Sequence, residues 1–197
     1  MAFIEPLPDD QVDERIRELY EADEERFGFV PNFTRTFARR PQVYEAWKQL
    51  NGAIQQSIGV RRYELATLAA AHRLRSSYCM LAHGKILADR FLGPEVLRQV
   101  VVDHRAAGLD PVDVAVMDLA EKVAGDAAAM SDADLAPLRD LGLSDDEIFD
   151  VVLAAGARAF FSKTLDALGL QADAEYAEMQ PKLREALTVG RPISAAA

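Results

Sequence analysis

Hydrophobic residues recur along most of the chain at intervals of three or four, which is the spacing of one face of an α-helix. The first such run spans residues 10–27, where Val12, Ile16, Leu19 and Tyr20 form one apolar stripe among charged side chains. Alternating apolar and polar runs, which are typical of half-buried strands, are absent, and alanine is abundant. The pattern therefore predicts an all-α fold.

Prolines, glycines and capping residues indicate where the predicted helices begin and end. After a turn and a short helix, Pro41 opens a helix that Gly59 closes, and a long Ala-rich helix begins near Arg61. The apolar positions of the helix after Pro41 include Val43, Trp47, Leu50 and Ile54.

Three further helix starts follow in the second half of the chain. Asp110 is a good N-cap before Pro111, and Ser131 caps a short helix. Ser144 is followed three residues later by Glu147, which is the spacing of a capping box.

The length of 197 residues fits a single domain, with an N-terminal helical extension over about 1–58 and a frayed tail over about 189–197. No apolar run approaches the roughly 18 residues that span a bilayer. The first residues lack a basic start followed by an apolar stretch, so we expect no signal peptide and a cytoplasmic protein.

The charge of the chain restricts its partners. Asp and Glu number 32 against 22 Lys and Arg, for a net charge of −10. This acidity disfavours nucleic acid and anionic membranes, both of which attract basic surfaces. The single cysteine excludes an intramolecular disulfide and fits a reducing compartment, so any disulfide chemistry needs a second thiol from outside the chain.

The chain also matches itself at an offset of 83 residues. The segment GVRRYELATLAAAHRLRSSYCML then lies over GLSDDEIFDVVLAAGARAFFSKT. The identical pairs are Gly59 with Gly142, Glu64 with Glu147, Ala71 with Ala154, and Arg75 with Arg158. Either an internal duplication or the chance likeness of two Ala-rich helices explains this match. In a duplication only the first copy holds the candidate chemistry, because Cys79 lies over Ser162 and His83 over Asp166.

The only cysteine, Cys79, is followed four residues later by His83, a spacing that places both on the same face of a helix. Ser76 is a plausible N-cap for a helix that begins at Ser77, which would place Cys79 in the first helical turn. The unpaired N–H groups of that turn favour an anion, and an imidazole can take the thiol proton. The pattern is therefore compatible with a reactive thiolate.

Two other interpretations of these residues stay open at this point. Cys79 could be a buried, inert side chain whose neighbouring His83 bonds a backbone carbonyl. A metal site of His72, Cys79 and His83 is disfavoured, because three ligands on one helix make a poor tetrahedron. We expect His72 to be structural, and no metal or cofactor to be bound.

The segment ELATLAAAHRLRSSYCMLAHG, with Glu64, Cys79 and His83, resembles the signature of the carboxymuconolactone decarboxylase family. It is most similar to the alkylhydroperoxidase D-like branch of peroxidase-related proteins. That pattern is a Glu on one helix, a Cys-x-x-Cys at the start of the next, and a His four residues after the second Cys. The segments FGFVPNFTRTFARRPQVYEAW and LSDDEIFDVV also look typical of this branch, and the resemblance covers about residues 10–175.

The resemblance implies an alkylhydroperoxidase D-like helical bundle and roles for the matching residues. Cys79 would be the peroxidatic thiolate, His83 its proton partner, and Glu64 the group that orients or charges His83. Ser76 stands where the family has its resolving cysteine, so the reaction must stop at the sulfenic acid or be completed by an external thiol. Tyr78 lines the pocket or packs in the core, and packing is favoured. The family's members form homo-oligomers, so we expect a dimer, trimer or hexamer.

Three hypotheses of function follow. The first is a thiol-dependent peroxidase or redox protein that acts on a small peroxide or another small molecule with Cys79 as its single nucleophile. The second is a decarboxylase-type acid–base enzyme that uses His83 and Glu64 without the cysteine. The third is a non-catalytic oligomeric protein that kept the fold and lost the resolving thiol.

Overall fold

The structure is a computed structural model that describes residues 2–195, and within this range it is built from ten α-helices and a few single helical turns. The helices are α1 (Glu14–Phe27), α2 (Asn32–Phe37), α3 (Pro41–Ile58), α4 (Val60–Arg73), α5 (Ser77–Leu87), α6 (Pro94–Asp103), α7 (Pro111–Asp126), α8 (Asp132–Asp140), α9 (Asp145–Ala167) and α10 (Pro181–Leu187). No strand occurs among residues 2–195, which confirms the all-α prediction. None of the helices in this range has both the length and the apolarity to cross a bilayer.

Most helix ends lie where the capping residues predicted them. Ser144 and Glu147 form the capping box of α9, and Ser131 begins a second capping box at α8. Asp110 occupies the N-cap position of α7, but its side chain makes no capping hydrogen bond there. The first helix begins at Glu14 rather than near residue 10, because Asp13 caps it by accepting a hydrogen bond from the Ile16 N–H.

Helix α4 is the centre of the core. It packs against α5, α7 and α9, and every side chain from Tyr63 to Ala71 is buried. The alanines of this segment allow the neighbouring helices to approach closely, while Leu65 and Leu68 fill the space between them. A helix that is buried on all sides holds any polar residue it carries inside the core, and Glu64 is one.

The apolar stripe predicted for α3 is only half buried. Trp47 and Ile54 lie in the core, whereas Val43 and Leu50 are about half exposed. Val43 and Leu50 line a surface groove together with Phe160 of α9. The predicted homo-oligomer is not tested by this groove and stays a prediction.

A sharp break separates α4 from α5. Arg75 has a left-handed backbone with φ of 58°, and the Ser76 N–H returns to the Ala71 carbonyl at 3.0 Å, which ends α4. The chain then starts a new helix at Ser77, as predicted. The segment that matches this one at an offset of 83 has no such break, because α9 runs through 23 residues. The internal duplication stays a prediction.

The C-terminal tail is tied to the start of α5. The Gly190 N–H donates to Ser77 Oγ at 2.7 Å, and the Ser194 N–H donates to the Ala172 carbonyl at 2.8 Å. A Cβ atom at Gly190 would lie 2.1 Å from the Arg75 carbonyl oxygen, so only glycine fits this contact. The predicted fraying of about 189–197 stays a prediction, and Ala196 and Ala197 lie outside the described residues.

Candidate active site

Cys79 lies in the first turn of α5 and is only 2% exposed. The unpaired N–H groups of that turn provide the anion-favouring end of the helix, as the sequence predicted. Its sulfur accepts a hydrogen bond of 3.4 Å from Nη1 of Arg158, which reaches across from α9. Among residues 2–195, Arg158 is the one hydrogen-bond partner of this sulfur. The thiol therefore faces a permanent positive charge inside the core.

Arg158 is itself 3% exposed and has no carboxylate partner among the described ion pairs. Its Nη2 donates to the Tyr63 hydroxyl at 3.1 Å, and that hydroxyl donates to Asn51 Oδ1. The guanidinium also lies 5.7 Å from the ring of Trp47. A buried cation without a counter-ion is costly, so the site favours an anion beside it.

The protonation of Arg158 reflects its neighbours. Burial lowers its pKa, but Tyr63 and Cys79 more than offset this through their charges and hydrogen bonds, so the pKa is raised overall. The guanidinium therefore stays charged at any pH at which the protein functions.

Glu64 and His83 form the second part of the site. Although they are 19 residues apart, Nδ1 of His83 lies 2.6 Å from Oε2 of Glu64, and both side chains are largely buried. Burial lowers the pKa of His83, the charge of Arg158 lowers it further, and Glu64 acts in the opposite direction. The imidazole is therefore neutral near pH 7. The Glu64 carboxylate accepts a hydrogen bond from the Nδ1–H group of His83. The proton of the neutral ring therefore stays on Nδ1, and Nε2 is free to act as a base.

The structure brings the predicted Glu64–His83 pair together, but it does not bond His83 directly to Cys79, whose proton partner the resemblance implies it to be. No hydrogen bond joins these two side chains in the described part of the chain, because the sulfur turns toward Arg158 instead. Ser76 occupies the N-cap position without capping α5 through its side chain. Its hydroxyl is fully buried and has no well-aligned hydrogen-bond partner among the described residues, although it lies close enough to Asp166 to offset in part the burial that raises the pKa of that carboxyl.

Tyr78 packs in the core, which is the alternative that the sequence favoured. Its hydroxyl donates to Asp173 and accepts the Phe33 N–H at 3.2 Å. Its ring packs edge-on against Tyr176 and at a tilt against Phe33. Tyr78 thus joins α5 to α2 and to the segment after α9.

His72 lies apart from Cys79 and His83. It is exposed at the end of α4, where its Nδ1 is 3.7 Å from Glu121 Oε1 on α7. The set of His72, Cys79 and His83 is not brought together as a ligand cluster in residues 2–195.

The sequence reasoning missed Arg158, Tyr63 and Asn51 as parts of the site. The sequence did contain a signal for Arg158, because this residue is the only cation on the buried stripe of α9. The other buried positions of that helix are Ile148, Val151, Ala154, Ala155, Phe161, Ser162 and Leu165. An arginine on an apolar helix face indicates a buried partner, whereas nothing in the sequence indicates that Tyr63 and Asn51 complete the chain of hydrogen bonds.

Next to the site, Asp173 makes the stability of the protein depend on pH. Burial raises the pKa of Asp173 to about 6, although the Tyr78 hydroxyl and the Asn32 N–H partly offset this. The folded chain therefore retains a proton that the unfolded chain releases near pH 4. The resulting stability is present below pH 4 and is lost as pH rises through about 6.

We expect Asp173→Asn to remove this dependence. Relative to the variant, the wild type should lose roughly 2–3 kcal/mol of unfolding free energy between pH 4 and pH 7. Urea denaturation of both proteins across that range gives the difference between their unfolding free energies at each pH. The contributions of the other titrating groups are the same in both proteins and cancel in this difference. A constant difference at all pH values would contradict the prediction.

The order and packing of these helices define the AhpD-like fold, so the resemblance seen in the sequence is confirmed at the level of the fold. An AhpD-core, uncharacterized peroxidase-related protein from Ralstonia eutropha JMP134 matches with a TM-score of 0.80 and 24% identity, over 89% of this chain and 94% of that chain. An uncharacterized peroxidase-related protein from Silicibacter sp. TM1040 matches with a TM-score of 0.76 and 23% identity, over 89% and 91%.

A third similar structure is a cysteine-to-alanine variant of the debrominase Bmp8 in complex with 2,3,4-tribromopyrrole. It matches with a TM-score of 0.75 and 15% identity, over 92% of this chain and 95% of that chain. No protein-family model matches the chain, and no curated protein matches it. At these identities the comparisons show the fold alone.

Proposed function

We propose that this protein is a one-cysteine, thiol-dependent peroxidase in which Cys79 is the nucleophile. The observation that supports this function best is the hydrogen bond from buried Arg158 to the Cys79 sulfur. Arg158 has no carboxylate within ion-pair distance among the described residues, so a thiolate at Cys79 would be the anion in direct contact with it. The peroxidase-related proteins with the same fold agree with this chemistry.

The first reaction is the attack of the thiolate on the terminal oxygen of a hydroperoxide. A new S–O bond forms and the O–O bond breaks, which gives Cys79–SOH and an alkoxide. One proton converts the alkoxide to the alcohol, so the peroxide is reduced by two electrons and the sulfur is oxidised by two. Arg158 stabilises the thiolate before the attack, and its fixed position avoids reorganisation during the step.

His83 and Glu64 supply the proton in this proposal. Neutral His83 can accept the thiol proton at Nε2 and later return it to the leaving alkoxide. Glu64 holds Nδ1, which fixes the orientation and the tautomer of the ring. Because no bond joins His83 to the sulfur, this transfer proceeds through a water molecule or through the peroxide itself.

The cycle ends with a thiol from outside the chain. The sequence holds no second cysteine, and Ser76 cannot form a disulfide. An external thiol therefore condenses with Cys79–SOH and releases water. A second thiol then reduces the mixed disulfide and restores Cys79.

Reductive debromination is a second candidate for the same thiolate. The likeness to Bmp8 favours it, as do the rings of Trp47 and Phe161, which lie over the guanidinium that holds the sulfur. In this reaction the sulfur attacks bromine, the C–Br bond breaks, and a proton replaces bromine on the ring. The resulting S–Br species reacts with an external thiol to give the mixed disulfide and bromide.

Intact-mass spectrometry after stoichiometric oxidant tests the proposal. We expect tert-butyl hydroperoxide to add one oxygen to the wild type, and dimedone to trap it as a sulfenic acid at Cys79. Cys79→Ser is the matched control, and it should show neither change. The same protein with 2,3,4-tribromopyrrole and a thiol should release bromide if the second candidate is correct.

The outcomes separate the hypotheses. If neither tert-butyl hydroperoxide nor 2,3,4-tribromopyrrole changes Cys79, the result would contradict a redox role and support the hypothesis of a non-catalytic protein. Catalysis that survives Cys79→Ser but is lost in His83→Ala would support the acid–base enzyme. An oxygen adduct that forms equally in Cys79→Ser would contradict the assignment of the nucleophile.

A further inference from the structure

A second group of titratable side chains lies on α7 and at the end of α6, and none of its members takes part in the site around Cys79. His104 follows the last residue of α6 and is only 5% exposed. Its Nε2 lies 2.7 Å from Oδ1 of Asp118. Glu121 lies one turn further along α7, and the ligand atoms of these three residues are all within 4.8 Å of one another.

A second histidine approaches this group from α4. His72 is on the surface, and its Nδ1 is 3.7 Å from Oε1 of Glu121, but it is not one of the three residues whose ligand atoms all lie within 4.8 Å of one another. Two of the three histidines of the chain therefore lie beside these carboxylates, His104 against Asp118 and His72 against Glu121. The side chains come from α4, from α7 and from the residue after α6.

The group borders a cavity of about 380 Å³. The cavity is lined by polar residues, among them His72, His104 and Glu121, and by apolar residues such as Leu68 and Met117. A concave space beside convergent polar groups is the usual form of a small-ligand site.

We propose that His104, Asp118 and Glu121 bind one divalent transition-metal ion of the Zn²⁺ class, and that His72 turns inward to become the fourth ligand. Two imidazole nitrogens and two carboxylate oxygens suit Zn²⁺ in a tetrahedral arrangement, and metal–ligand bonds of about 2.0–2.2 Å place the ligands roughly 3.3 Å apart. The His72–Glu121 separation of 3.7 Å is already close to that value. The His104–Asp118 separation of 2.7 Å is a hydrogen bond and must open slightly.

Arg105 supplies a positive charge beside these carboxylates. Its Nη2 pairs with Asp118 and lies 3.9 Å from Glu121, while the side chain is more than half exposed. An exposed arginine can turn away into solvent at small cost. A bound dication would then balance both carboxylates, and the removal of Arg105 should favour the ion.

Binding of Zn²⁺ and Co²⁺ to the intact chain tests this site. We expect one ion per chain, and the visible absorption of bound Co²⁺ should report four-coordinate nitrogen and oxygen ligands without a thiolate. His72→Ala and Glu121→Gln change partly exposed side chains, so both variants should fold. Each should weaken binding at least tenfold, as the loss of a metal ligand does.

Three further variants make the test specific. Arg105→Gln should bind the ion more tightly, because it removes the competing charge, whereas a purely structural network predicts no gain. Cys79→Ser and His83→Ala should bind as the wild type does. The proposal is overturned if His72→Ala and Glu121→Gln bind Co²⁺ as well as the wild type, or if Cys79→Ser abolishes binding.

Discussion

Arg158→Met should slow the alkylation of Cys79 by iodoacetamide at pH 7 by roughly 10- to 100-fold. A hydrogen bond to a charged group contributes about 1.5–3 kcal/mol, and this variant removes the one such bond that the described structure gives the sulfur. Alkylation rates of the wild type and the variant, measured side by side at pH 7, give this ratio.

Two matched variants show whether the charge itself is responsible. Arg158→Lys keeps a cation in the same place and should lose less reactivity than Arg158→Met. Tyr63→Phe removes the second partner of Arg158 without touching the sulfur, so it should have a smaller effect than either. Equal alkylation rates in the wild type and in a folded Arg158→Met variant would contradict the proposed role of the guanidinium.

Asp23→Ala should lower the free energy of unfolding by roughly 3–5 kcal/mol. Asp23 is buried in α1, and its Oδ2 accepts hydrogen bonds of 2.7 Å from the hydroxyls of Thr34 and Tyr44. The alanine variant leaves both hydroxyls buried without their acceptor and separates Lys48 from its nearest carboxylate, which is 3.9 Å away. Urea denaturation monitored by the fluorescence of the single tryptophan measures the loss.

Two neighbouring changes serve as controls for Asp23. Asp23→Asn keeps an oxygen acceptor at the same position and should lose less stability than the alanine variant. Glu24→Ala changes an exposed residue and should stay within about 0.5 kcal/mol of the wild type. A loss below 1 kcal/mol in Asp23→Ala would show that water replaces the carboxylate.

The sequence predicted the helices well because their signals are local. Prolines, glycines and capping boxes act within one turn, so the starts of α3, α7 and α9 follow from the residues that occupy them. The burial of individual positions was harder to predict, because it depends on what packs against each helix. Val43 and Leu50 fit the apolar stripe of α3, yet no described element covers them. Asp23 fits a charged face, yet α2 and α3 enclose it.

The residues of the candidate site also differ in whether a local sequence pattern could predict them. The pairing of Glu64 with His83 was available from a spacing pattern shared with a family, and the position of Cys79 followed from the helix break at Ser76. Arg158 is 79 residues from Cys79 in the sequence, and no local sequence pattern predicts the contact between them. The packing of α5 against α9 therefore decides which group stabilises the sulfur.

The burial of Cys79 has a consequence for how fast a complete cycle can run. Thiol–disulfide exchange needs the attacking sulfur to approach in line with the bond that it breaks, and only 2% of Cys79 is exposed. A folded protein cannot bring its own thiol to that position unless α5 or its neighbours move first. A small thiol needs a smaller opening than a protein does, so in the proposed cycle we expect the molecular size of the reductant, more than its reducing power, to limit how fast the oxidised sulfur is recovered.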